Sequence, residues 1–270
     1  MNSSGIISRF AIASVTAFAL CFPANALKVC ADADFLPYSN RAGEGFENKV
    51  AGAVAMWLGE PVEYTWASYR GHGGFPQFLS STLDAKKCDV VMSIPYGSRE
   101  ELTTRPYYIS SYVFVFFRSK NYSIASLDSP VLKQLKIGFE RDTPAEEGLK
   151  IRGLIPGSAT AFDVSEDPSE SPAAMLAALQ KGQIYVLITW QPAISSFLRA
   201  YPYLEVVALP NSRTLGPPEQ YTFPMSMGVR EGDDGLKQKL DEIIEKHQTD
   251  LTSILAENGV RIAQQGQRLP

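Results

Sequence analysis

The order of elements along the chain constrains its fold more than any single residue does. Leu27-Lys28-Val29-Cys30-Ala31 reads as a buried strand, and Phe46, Val50, Val54 and Trp57 recur at helical spacing until Gly59. A second strand spans Val62 to Trp66. Phe75, Phe78, Leu79, Thr82 and Leu83 form another helical stripe, and a third strand runs from Asp89 to Ile94. Strand, helix, strand, helix, strand is a parallel α/β unit, and right-handed crossovers place its first strand between the second and third. The pattern restarts at Lys136-Ile137-Gly138-Phe139. There, Thr143-Pro144-Ala145-Glu146 has the form of a capping box with Pro at the first helical position. Ser171-Pro172 opens a further helix along Met175, Leu176 and Leu179, Ile184 to Thr189 is a buried strand, and Glu205 to Ala208 reads as the strand leading back. Between the two units, Tyr112 to Phe117 is too apolar for a surface strand and reads as the crossing. Met225 to Val229 returns to the first unit. Two helices end the chain, one on Leu236, Leu240, Ile243 and Ile244, the other on Leu251, Ile254 and Leu255.

The first 26 residues differ from the rest. Arg9 is their only charge, an apolar run spans Phe10 to Phe22, and Ala24-Asn25-Ala26 supplies a small-x-small cleavage pattern. This is the pattern of a secretory signal peptide over residues 1–26. About thirteen apolar residues fall short of the roughly twenty that a spanning helix needs, so no membrane span is expected after cleavage. The mature chain would begin at Leu27 in the periplasm, with 24 Lys and Arg against 29 Asp and Glu and no long block of either sign. Nucleic-acid binding is not expected of such a surface. Cleavage also removes Cys21, leaving Cys30 and Cys88 as a single pair in a compartment where disulfides persist. Each lies beside a strand expected to neighbour the other's, so a bond between them is predicted.

Two βαβ sets followed by helices that rejoin the first give the order of the type II periplasmic solute-binding protein fold, an α/β architecture with two lobes around a hinged cleft. Lobe 1 would comprise residues 27–115 and 214–270, and lobe 2 residues 116–213. The site would lie where carboxyl ends of strands from both lobes face each other. Catalytic constellations are not evident: neither His72 nor His247 sits near a nucleophile motif, and there is no Gly-rich phosphate loop or His-Glu-x-x-His. Asp32 and Asp34 resemble half of a calcium loop without the remaining ligands, and the two cysteines have no partners for a zinc site. No enzyme activity, cofactor or metal is expected.

Amino-acid-binding members of this fold, which the chain resembles in outline, carry Gly-Phe-Asp after the first loop, an Arg that grips the α-carboxylate and an Asp on the second lobe for the α-ammonium. Here the first is Gly45-Phe46-Glu47, Arg99 occupies roughly the gripping region, and Trp190-Gln191-Pro192 stands where Asp-x-Pro would be. An indole cannot replace the charge-assisted hydrogen bonds of a carboxylate, so an ordinary amino-acid receptor is disfavoured.

A more specific likeness covers essentially the whole mature chain. It rests on Leu27 to Asp32, Leu36-Pro37-Tyr38-Ser39-Asn40, Gly43 to Lys49, Tyr64-Thr65-Trp66, Cys88 to Met92, Leu102 to Tyr108, Ser111 to Val115, Lys181-Gly182-Gln183 and Trp190-Gln191-Pro192. In these strings the chain resembles the binding-protein-like accessory proteins of methanol dehydrogenase, the MxaJ and XoxJ type. The resemblance implies a periplasmic protein acting with a quinoprotein (methanol) dehydrogenase and its cytochrome c, assisting activation or maturation. The chain departs from that family at Ser93-Ile94-Pro95-Tyr96-Gly97-Ser98 and in the Gly71 to Gly74 loop. The alternative is an ABC-transporter solute-binding protein for a small ligand that is not an amino acid.

Aromatic side chains at strand ends are more often core than contact. The fold nonetheless directs Trp66, Tyr96 and Trp190 toward the cleft, which would then be large and apolar. Asn40, Glu44 and Arg70 are hydrophilic candidates on its rim, and Arg99, Thr143 and Gln191 complete the expected set.

Overall fold

The computed structural model describes residues 25–215 and 217–263, so the expected signal peptide lies almost entirely outside the described residues. In chain order the elements are β1 (Leu27–Ala31), β2 (Asp34–Phe35), β3 (Ser39–Asn40), α1 (Phe46–Leu58), β4 (Val62–Trp66), α2 (Gly74–Ser81), β5 (Val90–Pro95) and β6 (Leu102–Thr103). Next come β7 (Tyr108–Phe117), β8 (Ile137–Glu140), α3 (Pro144–Ile151), β9 (Ala159–Phe162), α4 (Pro172–Gln180), β10 (Val186–Trp190) and β11 (Leu204–Ala208). β12 (Thr222–Val229), α5 (Asp234–Lys246) and α6 (Gln248–Glu257) complete the described chain.

The strands run in the order β4-β1-β5-β12-β7-β10-β8-β9. β1 is central in its unit and parallel to both neighbours, as the crossover rule requires. Cys30 therefore lies opposite Val91, close to Cys88, and the two cysteines are bonded with Cα atoms 5.4 Å apart. β8 lies between β10 and β9, again parallel to both. Two antiparallel strands link the units. β7 pairs with β12 over Tyr108 to Ser111 and with β10 over Tyr112 to Val115. β12 pairs with β7 through Thr222 to Met225 and with β5 through Met225 to Val229. Their dual pairing explains the apolar character of β7, since Val113, Phe114 and Val115 have neighbours on both edges and are fully buried.

Apolar cores form on both sides of this crossing. One gathers Val50, Val54, Met227, Leu240 and Leu255; the other, on two faces of the second unit, gathers Phe114, Ile137, Leu149 and Ile188, and then Met175, Leu179 and Leu187.

Two local expectations need correction, and one strand is new. The capping box at α3 does not form: the Thr143 hydroxyl donates to the Glu140 carbonyl at 2.7 Å, and the Glu146 carboxylate accepts from the Asp142 amide at 2.7 Å. The last residue of β8 has claimed the hydroxyl, which moves the reciprocal bond one residue upstream. β11 does not lead back to the first unit; it lies antiparallel to β7 from Val113 to Phe117, and β12 alone makes the return. β9, only four residues long and at the sheet edge, has no sequence signal strong enough to reveal it.

Candidate ligand cleft

The site is built from strand ends and one short loop. The β2–β3 connection is laid over the start of α1, where the amides of Phe46 and Glu47 donate to the carbonyls of Pro37 and Tyr38, each at 2.9 Å. This approach requires glycine at position 45, because a Cβ there would stand 2.0 Å from the Tyr38 carbonyl oxygen. Asn48 locks the corner, its side-chain oxygen accepting from the amides of Asn40 and Gly45. Phe35 and Tyr38, stacked with ring centroids 4.7 Å apart, are thereby held over the carboxyl ends of the strands.

Beneath them lies a cavity in two adjoining compartments. One, of about 330 Å³, is walled by Phe35, Tyr38, Tyr112, Glu140, Trp190 and Phe223 among others. The second, of about 250 Å³, shares Phe35, Tyr38, Pro95, Trp190 and Met225 and adds Glu47, Tyr69, Phe75 and Ser93. Trp190, at the end of β10, packs on Tyr112 at 5.3 Å and on Phe223 at 6.0 Å between centroids, so it sits where both linking strands meet the cavity.

Two carboxylates open onto this aromatic enclosure, one from each unit. Glu47, in the first turn of α1, is 3% exposed, and the Tyr69 hydroxyl donates to its carboxylate at 3.5 Å. Burial pushes its pKa up to about 7; Ser93 and Tyr69 pull the other way, and the Asp32 charge adds to the rise. Glu140, at the end of β8, has the Thr189 hydroxyl at 3.5 Å, and burial likewise raises its pKa to about 7. Tyr38 lies within the field of both acids, and burial together with their charge raises its phenol well above its ordinary value. Ser93 adopts a left-handed backbone (φ 56°) that a serine rarely occupies. It places its hydroxyl 3.0 Å from the Tyr107 phenol and 3.2 Å from that of Tyr108.

A clasp closes the rim. The Arg70 guanidinium donates to the carbonyl of Ser165 at 2.6 Å and to that of Asp34, lies 3.5 Å from the Asp32 carboxylate, and covers the Phe35 ring at 4.5 Å. Asp34 and Ser165 belong to different units, so this one side chain spans the opening.

No family model matches the chain. A curated relative, Protein MoxJ of Methylorubrum extorquens, is 30% identical over 255 residues, which cover 88% of this chain and 82% of that protein. The chain belongs to the MoxJ family. MoxJ of Paracoccus denitrificans is 25% identical over 268 residues, spanning 92% and 94% of the two chains. Among solved structures, the periplasmic binding protein XoxJ from Methylobacterium extorquens AM1 matches with a TM-score of 0.73 and 28% identity, covering 88% of this chain and all of that one. MxaJ from Methlophaga aminisulfidivorans MPT matches with a TM-score of 0.75 at 24% identity and the same coverage, a likeness of fold. The architecture is that of a type II periplasmic binding protein.

Of the residues singled out from sequence, this MoxJ-family chain brings Trp190 into the cavity wall and Arg70 onto its rim. Thr143 stands next to Pro144, which lines the wall, but its hydroxyl is committed to Glu140. The others serve elsewhere. Asn40 and Glu44 bond to each other in a surface turn. Gln191 is buried, tying the Gly259 carbonyl and the Arg261 amide to the end of β10. Trp66 stacks on Tyr64 at 4.7 Å under the Arg41 guanidinium. Tyr96 is 56% exposed and Arg99 is exposed, because the chain turns outward after Pro95 through Gly97 (φ 79°). His72 lies exposed on its loop, and His247 stacks on Trp57 at 4.0 Å. Asp32 accepts from the amides of Asp34 and Tyr69 in addition to facing Arg70. The groups that sequence reading passed over are Glu47 as a cavity acid, Glu140, and the aromatic lid of Phe35 and Tyr38. Glu140 ends a parallel strand, and that position alone could have flagged it.

Proposed function

We propose that this protein is a periplasmic accessory factor that acts with a quinoprotein methanol dehydrogenase and its cytochrome c, and that it assists the dehydrogenase's activation or maturation without catalysing a reaction itself. The observation that carries this reading is membership of the MoxJ family across nearly the whole described chain. It is supported by a cavity whose second-unit end presents Trp190 where amino-acid receptors of this fold place a carboxylate. The lobes that close on the cleft would be residues 27–115 with 214–270, and residues 116–213, hinged on β7 and β12. Among the described residues no helix is long and apolar enough to cross a membrane.

Deleting the gene and measuring dye-linked methanol oxidation in periplasmic extract tests the reading. Activity should fall while dehydrogenase transcription is unchanged, and a Trp190→Ala complement should restore less of it than Lys239→Ala, a change on the exposed face of α5. Undiminished activity, with dehydrogenase at normal abundance and cofactor content, would sink the maturation role. An enclosed cavity with an aromatic wall also suits a transport receptor for a small solute that is not an amino acid. A permease gene beside this one would favour that second reading.

A further inference from the structure

The two cavity acids have no cationic partner. Among the described residues no Lys, Arg or His lines either compartment, and no ion pair involves Glu47 or Glu140. Their polar partners are neutral hydroxyls alone: Ser93 and Tyr69 for Glu47, the latter at 3.5 Å, and Thr189 for Glu140 at 3.5 Å. Ionised carboxylates held by neutral hydroxyls alone are costly to bury unless a countercharge joins them.

Their surroundings specify that ligand's character. Phe35, Tyr38, Tyr112, Trp190, Tyr69 and Phe75 line the two compartments with aromatic rings. An aromatic face attracts a positive charge through its quadrupole, and most effectively one whose hydration shell is weak. The wall already demonstrates this with a cation of the chain itself, since the Arg70 guanidinium covers Phe35. A hydrated metal ion would lose its water shell against such walls with too few oxygens to replace it, and MoxJ-family residues supply no cluster for one among those described. A ligand carboxylate would find two acids and no base. A compact organic cation with apolar substituents meets both requirements.

We propose that the cleft is a binding site for a small organic ammonium cation lacking a carboxylate, seated against Trp190, Tyr112 and Tyr38 and neutralised by Glu140 from one unit and Glu47 from the other. Closure brings the acids to the ligand from both sides, and Arg70 fastens the rim over it. Binding requires the acids to be ionised, so a ligand that holds them in that form competes with protons. With both carboxyls at about 7 in the free protein, affinity should fall on the order of 30-fold between pH 8.5 and pH 5.5 for each acid that must ionise.

The proposal does not rest on the accessory reading, and its test uses the purified mature protein alone. Choline and its neutral carbon isostere 3,3-dimethyl-1-butanol would be titrated calorimetrically at pH 8.5 and constant ionic strength. The highest concentration would be about 10 mM, a hundredfold excess over a dissociation constant of about 0.1 mM. Choline should bind saturably, at least tenfold more tightly than the isostere, and should weaken steeply toward pH 5.5. Glu140→Gln should lose at least tenfold in choline affinity while leaving the isostere unaffected. Should that variant fold poorly, the wild-type pH profile and the isostere comparison decide by themselves. Equal binding of choline and the alcohol would overturn the proposal in favour of a neutral-ligand cleft. No saturable binding of choline at pH 8.5 would overturn it outright, and dehydrogenase activity in deletion extracts would be untouched by either result.

Discussion

Replacing Glu47 by glutamine isolates the electrostatic cost that the cleft carries. In the folded protein the Glu47 carboxyl is raised from 4.5 to about 7, chiefly by burial. The unfolded chain releases this proton near 4.5, so between the two values the folded protein binds it and the unfolded chain does not. Stability from this group is therefore complete below pH 4.5 and is lost as pH rises through 7. At about 1.4 kcal/mol per pH unit, the loss by pH 8 is about 3 kcal/mol. Glu47→Gln keeps the shape, removes the charge and should be up to about 3 kcal/mol more stable than wild type at pH 8. At pH 4.5 the two proteins should be equal within about 1 kcal/mol, since both are neutral at this position. Urea unfolding followed by tryptophan fluorescence at a series of pH values, in buffer free of organic cations, measures both differences. Parallel pH profiles for the two proteins between pH 5 and 8 would refute the argument, because they would mean that Glu47 is solvated or paired at no cost. The positive end of α1 acts on this acid in the opposite direction, so a smaller gain than 3 kcal/mol would measure how far the helix dipole offsets burial.

Two further perturbations test the scaffold. The Cys30–Cys88 bond closes a segment with a separation of 58 residues, for which loop entropy gives about 4 kcal/mol. The doubly substituted Cys30→Ala, Cys88→Ala protein should melt about 8–16 °C lower, and melting within about 3 °C of wild type would contradict the entropic account. Arg152, 6% exposed in its side chain, forks onto Glu219 at 2.6 and 2.8 Å while also bonding Asp128, and Glu219 is only 8% exposed. Arg152→Ala strands that carboxylate beside Tyr221 and should cost about 3–5 kcal/mol in urea unfolding at neutral pH, with a loss under about 1 kcal/mol arguing against it.

What the sequence disclosed, and what it hid, follows from the range of the signals involved. Strand and helix positions came from periodicity, a local property, and the handedness of crossovers then fixed β1 between β4 and β5 and with it the cysteine pair. Trp190 was legible because a strand ends there in every reading of its unit. The same reasoning failed at Tyr96 and Arg99, where one glycine with positive φ turns the chain away from the cavity. It fails differently at Gln191, whose polar side chain suggests a ligand contact but satisfies two main-chain groups of the C-terminal segment. In sequence, Glu47 stands out only as the Glu of Gly45-Phe46-Glu47. Its burial depends on a loop folding back over it, which depends on Gly45 meeting Tyr38, a contact no periodicity reports.

The distribution of charge around the cleft is a consequence of how the fold spends its one nearby guanidinium. Arg70 reaches two main-chain carbonyls from different units and the Asp32 carboxylate, and its face lies on Phe35. A guanidinium offers five donors in a fixed fork, and these partners engage the side chain from several directions at once. The side chain is not among those that line either compartment. A zwitterion entering the cleft would meet Glu47 and Glu140 with its ammonium but would have to bury its carboxylate against aromatic rings, with no cationic side chain among those that line the compartments. In a low-dielectric enclosure that burial is prohibitive without a paired charge. The apolar wall and the lack of a lining base thus weigh against an amino-acid ligand for the same physical reason, independently of the indole at position 190.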